Sequence, residues 1–220
     1  MRYLTSDLHF QHKNVIRYCN RPFTKNLDEL HNAMLGSQTP DEVAAAIEKD
    51  VLEMNEAIIS NWNSIVMPQD EVVVVGDFSL SFKAVELYTN RLNGRKILVA
   101  GNHDFCHPAH HKSKHLENQK KWIDKYLENG WAEVHMELEL DLPGIGLVNV
   151  SHLPYKGCGD SMEEERHEKH RLEDDGRWLI CGHVHCSWKT HKKQLNVGVD
   201  VWGYKPVSEE EVIRTILNFK

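Results

Sequence analysis

Three short apolar runs divide the first half of the chain. These are Arg2 to Thr5, Glu71 to Val75 and Arg95 to Ala100, and Gly76 and Gly101 follow the second and third. A short continuous apolar run bounded by turn residues is typical of a strand that is buried on both faces. The pattern therefore predicts three buried strands.

Helical periodicity occupies the stretches between these runs. Asn26 to Leu35, Asp41 to Trp62 and Lys83 to Leu92 each place apolar residues at helical spacing. The sequence Thr39-Pro40-Asp41-Glu42 resembles a helix start, because a capping residue precedes a proline and two acidic side chains. Strands that alternate with helices predict a parallel α/β core.

The second half of the chain has a different pattern, with short β candidates between loops rich in glycine, proline and charge. The candidates are Trp131 to Leu140, Leu147 to Val150, Trp178 to Cys181 and Gln194 to Val201. Ser208 to Leu217 predicts a closing helix, because Ser208 is a capping residue and Glu211 follows three positions later. Without an internal repeat or a linker, residues 1–220 are interpreted as a single domain.

Leu153 to Gly176 is a long segment without strong periodicity. Its many charges are typical of a solvated surface excursion. Long ordered loops beside active sites are often lids, so a lid over residues 153–176 is the alternative interpretation.

Composition and charge restrict the partners of the chain. Hydrophobic residues make up 40% of the 220 and charged residues 27%, which are ordinary values for a globular protein. Asp and Glu number 33 against 26 Lys and Arg, so the net charge is −7. An acidic protein is not suited to coat duplex DNA non-specifically. A bound phosphate therefore needs metal ions or a few basic side chains to supply positive charge locally.

The expected location follows from the N-terminus and the cysteines. The chain begins with Met-Arg-Tyr-Leu-Thr-Ser-Asp, which is not a signal peptide, and no apolar run approaches the ~20 residues that span a bilayer. There are five cysteines and no CxxC pair. We therefore expect a soluble cytoplasmic protein from a reducing compartment, with no membrane partner.

Residues that can bind metal ions follow each of five predicted strands. In chain order they are Asp7 and His9, then Asp77, then Asn102, His103 and Asp104, then His152, then His183 and His185. In open α/β sheets, ligands bind outside the carboxyl ends of the strands, so these side chains should meet in one crevice. Mixed oxygen and nitrogen ligands favour manganese, iron, zinc or nickel over a soft-metal site.

Taken singly, each of these fragments has a plain structural explanation. Asp7-Leu8-His9 could be a polar strand end, Gly76-Asp77 is a common dipeptide, and His183-Val184-His185 could be a surface pair. Five such fragments, each placed after an apolar run, are very improbable by chance. The joint pattern therefore indicates a functional site.

Together the fragments resemble a known family, the calcineurin-like metallophosphoesterases. The matching motifs are Asp7-Leu8-His9, Gly76-Asp77, Gly101-Asn102-His103-Asp104, Ser151-His152 and Gly182-His183-Val184-His185. Thr5 to Asn14 and Asn196 to Asp200 are similar to a small bacterial and phage subgroup of predicted phosphoesterases. The resemblance implies an α/β fold, a four-layer αββα sandwich with a dinuclear metal site at the carboxyl ends of the strands.

The same resemblance implies a role for each motif residue. Two divalent ions are implied: the ligands of the first are Asp7, His9, Asp77 and His185, and those of the second are Asp77, Asn102, His152 and His183. Asp77 bridges the ions, which share a hydroxide that attacks the phosphate. His103 faces the phosphate as general acid, and Asp104 orients its ring. Manganese is the first choice, with iron, zinc and nickel as alternatives.

Further residues are candidates for substrate binding. Beside Asn102 and His103, these are Arg17, Tyr155 and Arg166, although surface ion pairs explain a loop arginine equally well. A second group, His107, His110, His111 and His115 with Lys112 and Lys114, is either a third metal site or a solvated basic loop at the rim of the pocket. Cys181 and Cys186 are a conceivable zinc pair, and a buried apolar role for Cys181 is favoured.

Three functions are compatible with the sequence. The leading hypothesis is hydrolysis of a phosphomonoester or phosphodiester, such as a nucleotide or a nucleic-acid end. The second is pyrophosphohydrolysis of dinucleotides or nucleoside diphosphate derivatives. The third is a non-catalytic scaffold that binds proteins, and the complete set of ligands and the proton donor argue against it.

Overall fold

The structure, a computed structural model, describes residues 1–34, 38–158 and 166–219. The helices are α1 (Lys13–Tyr18), α2 (Lys25–Met34), α3 (Pro40–Asn63), α4 (Phe82–Tyr88), α5 (Leu116–Glu128) and α6 (Glu209–Leu217). The strands are β1 (Arg2–Thr5), β2 (Glu71–Val74), β3 (Arg95–Val99), β4 (Glu133–His135), β5 (Glu137–Leu142), β6 (Gly146–Ser151), β7 (Leu179–Cys181), β8 (Thr190–His191), β9 (Gln194–Asn196) and β10 (Val207–Ser208). Across these ranges, no helix is both long enough and apolar enough to cross a bilayer.

The first sheet has the strand order β10-β1-β2-β3-β4. Strands β1 to β4 are parallel, and β10 joins the edge of β1 antiparallel to it. Arg2 lies opposite Glu71, and Glu71 lies opposite Arg95, so the first three strands begin level with each other. Their carboxyl ends therefore meet at one edge of the sheet.

The second sheet has the strand order β5-β6-β7-β9-β8. Strands β6, β7 and β9 are parallel, whereas the outer strands β5 and β8 run antiparallel to their neighbours. The loop after β1 links the two sheets, because Ser6 forms an isolated parallel bridge with Gly198. The carboxyl ends of β6 and β7 thereby reach the same region as those of the first sheet.

One hydrophobic core lies between the two sheets. Leu4, Val73 and Val99 of the first sheet are buried in one cluster with Val150 and Ile180 of the second. The opposite face of the first sheet is covered by helices, where Trp62 of α3, Val85 of α4 and Tyr126 of α5 are buried. Because strands β1 to β3 are buried on both faces, they consist of apolar runs rather than alternating patterns.

The predicted sandwich of two stacked sheets with flanking helices is confirmed. The layer that covers the outer face of the second sheet includes a loop and is not a regular layer of helices. In the described ranges, the outer face of the second sheet carries a small cluster of Tyr155, Leu179 and Cys181, against which Cys158 and Leu172 of the following loop pack. That loop is the described part of the predicted 153–176 segment. Residues 159–165 lie outside the described ranges, and the lid and single-domain interpretations stay predictions.

Most predicted elements are present with ends shifted by one or two residues, but the helix predicted to reach Leu92 ends at Tyr88 and continues as a 3-10 turn, Thr89–Arg91. Trp131 to Leu140 is not one strand but two, because β4 completes the first sheet and β5 begins the second. Gln194 to Val201 ends early as a strand and continues as a single 3-10 turn, Val199–Val201. Helices α1 and α5 were not predicted. Thr39 and Ser208 cap α3 and α6 as expected, each accepting a backbone N–H three residues on.

Candidate metal centre

Five strand ends bring seven predicted ligands into one buried region. Backbone hydrogen bonds hold the loops after β1 and β2 side by side, from Asp7 N to the Gly76 oxygen and from His9 N to the Asp77 oxygen, each 3.1 Å. The backbone N–H of His183, after β7, donates to Asp7 Oδ2 at 3.0 Å and so joins the second sheet to this group. Of the seven, all but His185 are buried: Asp7, His9, Asp77, Asn102, His152 and His183.

Asp7 and Asp77 are the centres of two ligand groups. His152 Nε2 lies 3.3 Å and His9 Nε2 lies 3.6 Å from Asp77 Oδ2. His9 Nε2 and His185 Nε2 each lie 3.9 Å from Asp7 Oδ1. The ligand atoms of Asp7, His9 and His185 all lie within 4.8 Å of one another, and so do those of Asp7, Asp77 and His152.

These groups agree in part with the two ligand sets that the resemblance implied. Asp7, His9 and His185 are three of the four ligands expected for the first ion. Asp77 and His152 belong to the set expected for the second. Asp7 also lies close to this second group, so the two carboxylates stand between the histidines of both sheets.

Left-handed backbone at the ligands shows that this arrangement is strained. The φ angles are 56° at Asp7, 51° at His9, 53° at Asp77, 69° at His183 and 48° at His185. Positive φ is uncommon for residues other than glycine, and such strain is concentrated at functional sites. The surrounding structure must therefore hold five of the seven ligands in conformations that they would not adopt alone.

Two glycines make room for the ligands. Gly76 has φ of +86°, and a Cβ atom there would lie 2.5 Å from His152 Nδ1. At Gly182, a Cβ atom would overlap Ser6 Oγ and lie 2.6 Å from Asp7 Oδ2. Any side chain at either position would displace a candidate ligand or its neighbour.

The polar atoms of this region fit bound cations. His9 Nδ1 and Nε2, Asn102 Oδ1 and His152 Nε2 are buried, and among the described residues none has a hydrogen-bond partner. A buried polar atom without a partner costs about 1–3 kcal/mol. Nitrogen and oxygen atoms of this type, grouped around two carboxylates, are typical ligands of divalent ions. Bound ions would therefore explain why these buried atoms lack hydrogen-bond partners.

Hydrogen bonding orients His152 for metal binding. Its Nδ1 lies 2.8 Å from the Val75 carbonyl oxygen, which can only accept a hydrogen bond, so Nδ1 carries a proton. Nε2 is then the ring nitrogen that faces Asp77, as in a metal-ligating histidine, and it becomes a ligand when its own proton is released. Burial opposes a charge on this ring, but the Asp77 carboxylate outweighs burial and raises the pKa of His152 to about 9.

His185 is oriented by the carboxylate of Asp200, 15 positions later in the chain. Its Nδ1 lies 3.0 Å from Asp200 Oδ2, and Arg21 donates from Nε to Asp200 Oδ1 at 2.8 Å. Arg21 also donates to the backbone oxygens of Asp7, at 2.7 Å, and Leu8, at 3.1 Å. Burial opposes a charge on His185, but Asp7 and Asp200 outweigh it and raise its pKa to about 11.

Cys19, His185 and Asp200 also lie close enough together to hold an ion. Arg21 already neutralises Asp200, and both of their side chains are buried. A cation at that position would be repelled by the guanidinium. Asp200 therefore orients His185, so that Nε2 of the ring faces Asp7.

A sequence profile of the calcineurin-like phosphoesterase family matches residues 3–187. The chain belongs to this family. Its members are generally metal-dependent phosphoesterases, in agreement with the ligand groups.

Relatives of this chain occur in phages and archaea. The gene 66 protein of Mycobacterium phage L5 is 30% identical over 218 residues, which cover 96% of this chain and 91% of that protein. An uncharacterized protein of Methanocaldococcus jannaschii is 28% identical over 225 residues, which cover 97% and 90%. The crystal structure of a protein of unknown function from Aquifex aeolicus has a TM-score of 0.60 at 24% identity, covering 98% of this chain and 99% of that one. The predicted relation to small phage proteins is confirmed, and the solved structure supports the fold.

The resemblance predicts that Asp104 orients the ring of His103, but in the structure its carboxylate accepts hydrogen bonds from loop backbone. Asp104 is fully buried and does not contact the ring of His103. Its Oδ2 accepts the backbone N–H groups of Gly101, at 2.8 Å, and Asp77, at 2.9 Å, and its Oδ1 accepts that of Phe78 at 3.3 Å. Burial and the nearby Asp77 carboxylate raise the pKa of Asp104 to about 7. Asp104 thus fixes the two ligand loops to each other.

His103 itself lies at the edge of the ligand region. Its ring is partly exposed and lies 5.7 Å from the ring of His9, measured between centroids. Its backbone N–H donates to Asp77 Oδ1 at 2.9 Å, which fixes the carboxylate and leaves Oδ2 facing the histidines. A partly exposed imidazole beside the ligands is suitably placed to meet a substrate.

The predicted substrate contacts outside the ligand loops differ in outcome. Tyr155 was a predicted substrate contact, but its ring is buried on the outer face of the second sheet. Asn149 donates a hydrogen bond to its hydroxyl at 2.7 Å, so Tyr155 is a packing residue. Arg17 lies on the exposed side of α1, and Arg166 is exposed next to the 159–165 segment. Contacts of these two arginines with substrate stay predictions.

Sequence reasoning did not assign a role to Asp200 or a structural role to Arg21. Asp200 ends the Asn196 to Asp200 motif that supported the subgroup resemblance, and this was the available signal. The half-buried ring of His12, 5.3 Å from that of His9 between centroids, was also not considered. Burial lowers its pKa to about 4, so this ring is neutral at pH 7.

Proposed function

We propose that this protein is a dinuclear metal-dependent phosphoesterase that hydrolyses a phosphomonoester or phosphodiester. The observation that carries the proposal is the set of buried, unpartnered ligand atoms of His9, Asn102 and His152 around Asp77 and Asp7. The first ion would be held by Asp7, His9, Asp77 and His185, and the second by Asp77, Asn102, His152 and His183. Manganese suits these oxygen and nitrogen ligands best, with iron, zinc and nickel as alternatives.

The residues of the site divide the chemistry between them. When bound, two divalent ions supply positive charge for the phosphoryl oxygens and lower the pKa of water. Asp77 uses Oδ1 to accept the His103 N–H and turns Oδ2 toward His9 and His152. The partly exposed His103 ring donates a proton to the leaving oxygen as general acid, and with Asn102 it contacts the substrate phosphate.

The natural substrate of the proposed enzyme is a nucleotide or a nucleic-acid end. Pyrophosphohydrolysis of a dinucleotide is the alternative that uses the same groups. A non-catalytic scaffold has no need for strained backbone at five ligands or for buried unpartnered nitrogen atoms. The site of action is the cytoplasm, since all five cysteines are free thiols.

Elemental analysis and a substrate panel test the proposal. The purified protein, loaded with Mn²⁺, is expected to hold about two ions per chain. It should hydrolyse at least one of an aryl phosphate, a bis-aryl phosphate, a 2′,3′-cyclic nucleotide, a dinucleotide and a nuclease substrate. Asp77→Asn is the control, and it should lose both ions and activity. An intact protein that binds almost no metal and cleaves none of the panel would refute the proposal.

A further inference from the structure

A polar cavity of about 790 Å³ lies beside the candidate metal centre. One wall is the loop that contains Pro108, Ala109 and Lys114, and the other is the turn formed by residues 167–170. Both segments are outside the seven ligand positions. The cavity falls within the ~300–1,000 Å³ of small-molecule sites, so it has room for more than a single phosphate.

Two of the side chains that line this cavity, Lys114 and Lys169, are cationic, and one, Glu168, is anionic. Lys114 and Lys169 are exposed, and neither ammonium group has an acidic partner in the described part of the chain. The carboxylate of Glu168 is turned toward Lys156, 3.6 Å away. His167 and His170 add two further hydrogen-bonding rings. Because Lys156 lies against Glu168, Lys114 and Lys169 give the cavity a local positive charge in a chain of net charge −7, and that charge would attract an anion.

Buried and strained residues connect the cavity to the ligand region. His167 has a left-handed backbone, with φ of 59°, and its ring centroid lies 6.3 Å from that of His183. The ring of His170 lies 5.4 Å from that of the buried His107. His107 Nδ1 in turn accepts the backbone N–H of Ala109 at 3.0 Å, which shapes the loop wall. The cavity is therefore adjacent to the side of the site where His183 and His152 lie.

We propose that this cavity binds a second phosphate group of the substrate while the scissile phosphate lies at the metal centre. The inference rests on the proposed function and specifies its substrate class, a compound with at least two phosphates. Lys114 and Lys169 are the residues that recognise the second phosphate. That phosphate comes either from the next linkage of an oligonucleotide or from the other half of a dinucleoside polyphosphate.

The test compares substrates with one and with two phosphates. Lys114→Ala/Lys169→Ala is assayed with a bis-aryl phosphate, a short single-stranded oligonucleotide and a dinucleoside polyphosphate. Removing a charge-assisted hydrogen bond costs about 1.5–3 kcal/mol. The ratio of kcat/KM for the preferred two-phosphate substrate to that for the bis-aryl phosphate should therefore fall by roughly tenfold or more. The salt dependence of log KM should also become shallower, by about one unit of slope for each lysine that binds the phosphate.

A matched control removes the same charge elsewhere. Lys120→Ala/Lys121→Ala takes two exposed lysines from α5 and should leave the substrate ratio as in the native protein. An unchanged substrate ratio in the Lys114/Lys169 variant, or an equal fall of the ratio in the control variant, overturns the inference. In either case, hydrolysis of the bis-aryl phosphate by the native protein still supports the proposed function. Absence of hydrolysis of every ester by the native protein overturns the proposed function instead. The substrate whose rate responds identifies the source of the second phosphate.

Discussion

We expect Asp200→Asn to weaken the binding of one metal ion and to lower stability, for two separate reasons. Asp200 Oδ2 lies 3.0 Å from His185 Nδ1 and so fixes the direction of its Nε2 toward Asp7. Asp200 Oδ1 neutralises Arg21, and the two side chains are 1% and 0% exposed. Asparagine can keep one hydrogen bond but cannot supply the negative charge.

The expected magnitudes follow from these two interactions. Replacing the carboxylate behind a metal-ligating histidine typically reduces metal affinity by about 10–100-fold. Leaving Arg21 buried without a negative partner costs about 3–5 kcal/mol. In a domain of this size, each 1 kcal/mol shifts Tm by about 2–4 °C, so the ion-free variant should melt roughly 6–20 °C lower.

Calorimetric metal titration and thermal unfolding of the ion-free protein measure the two effects separately. Asp50→Asn is the matched control, because Asp50 is also buried and its carboxylate accepts the backbone N–H groups of Asn26, at 2.8 Å, and Leu27, at 3.1 Å. That change should lower Tm without weakening metal binding. Native affinity for both ions in Asp200→Asn, together with a lower Tm, would show that Asp200 is only structural and would refute the reasoning.

Three further predictions concern the ligands and the proton donor. Asp77→Asn should lower the affinity for both ions and the turnover, measured by calorimetry and by the rate on the best substrate, and a native rate would mean that the bridge is misassigned. His103→Ala should keep the metal content while kcat falls by roughly 10²–10⁴-fold, more for alkyl than for acidic aryl leaving groups; equal losses would instead indicate phosphate binding. Since the pKa values of His152 and His185 are raised to about 9 and 11 in the ion-free protein, metal binding at pH 7 should release protons and strengthen as pH rises. Calorimetry in two buffers of different ionisation enthalpy measures this release, and its absence would contradict the assignment.

Patterns of apolar residues along the chain made much of the fold predictable. Strands β1 to β3 are buried on both faces, so each is an apolar run that is followed by turn residues, and the ligands lie where these runs end. Helix α5 was not predicted because only a few of its residues are apolar, among them Trp122 and Tyr126, and charged and amide residues fill the rest. The switch of sheets between β4 and β5 has no signal in the alternation of Trp131 to Leu140.

The direction of a side chain was harder to predict than its place in the chain. His103 and Asp104 are neighbours in the turn that follows β3, where adjacent side chains can point in different directions. His103 is partly exposed at the site, whereas Asp104 is fully buried and binds loop backbone, so adjacency alone gave the wrong partner. Tyr155 illustrates the same difficulty, since it follows His152 by three positions and yet its ring lies on the outer face of the sheet.

Groups that support the ligands come from distant parts of the chain, and this limits what a single sequence can reveal. Arg21 and Asp200 are 179 positions apart, and their contact exists only because Asp200 follows β9 of the second sheet while Arg21 follows α1. No sequence pattern relates the two positions. The residue types therefore reveal the charge of each side chain but not its partner. The ligands themselves must converge on the ions, so their residue types and strand-end positions identify them. Their supporting groups contact neighbours that no pattern in the chain relates to them, and the folded structure is needed to pair them.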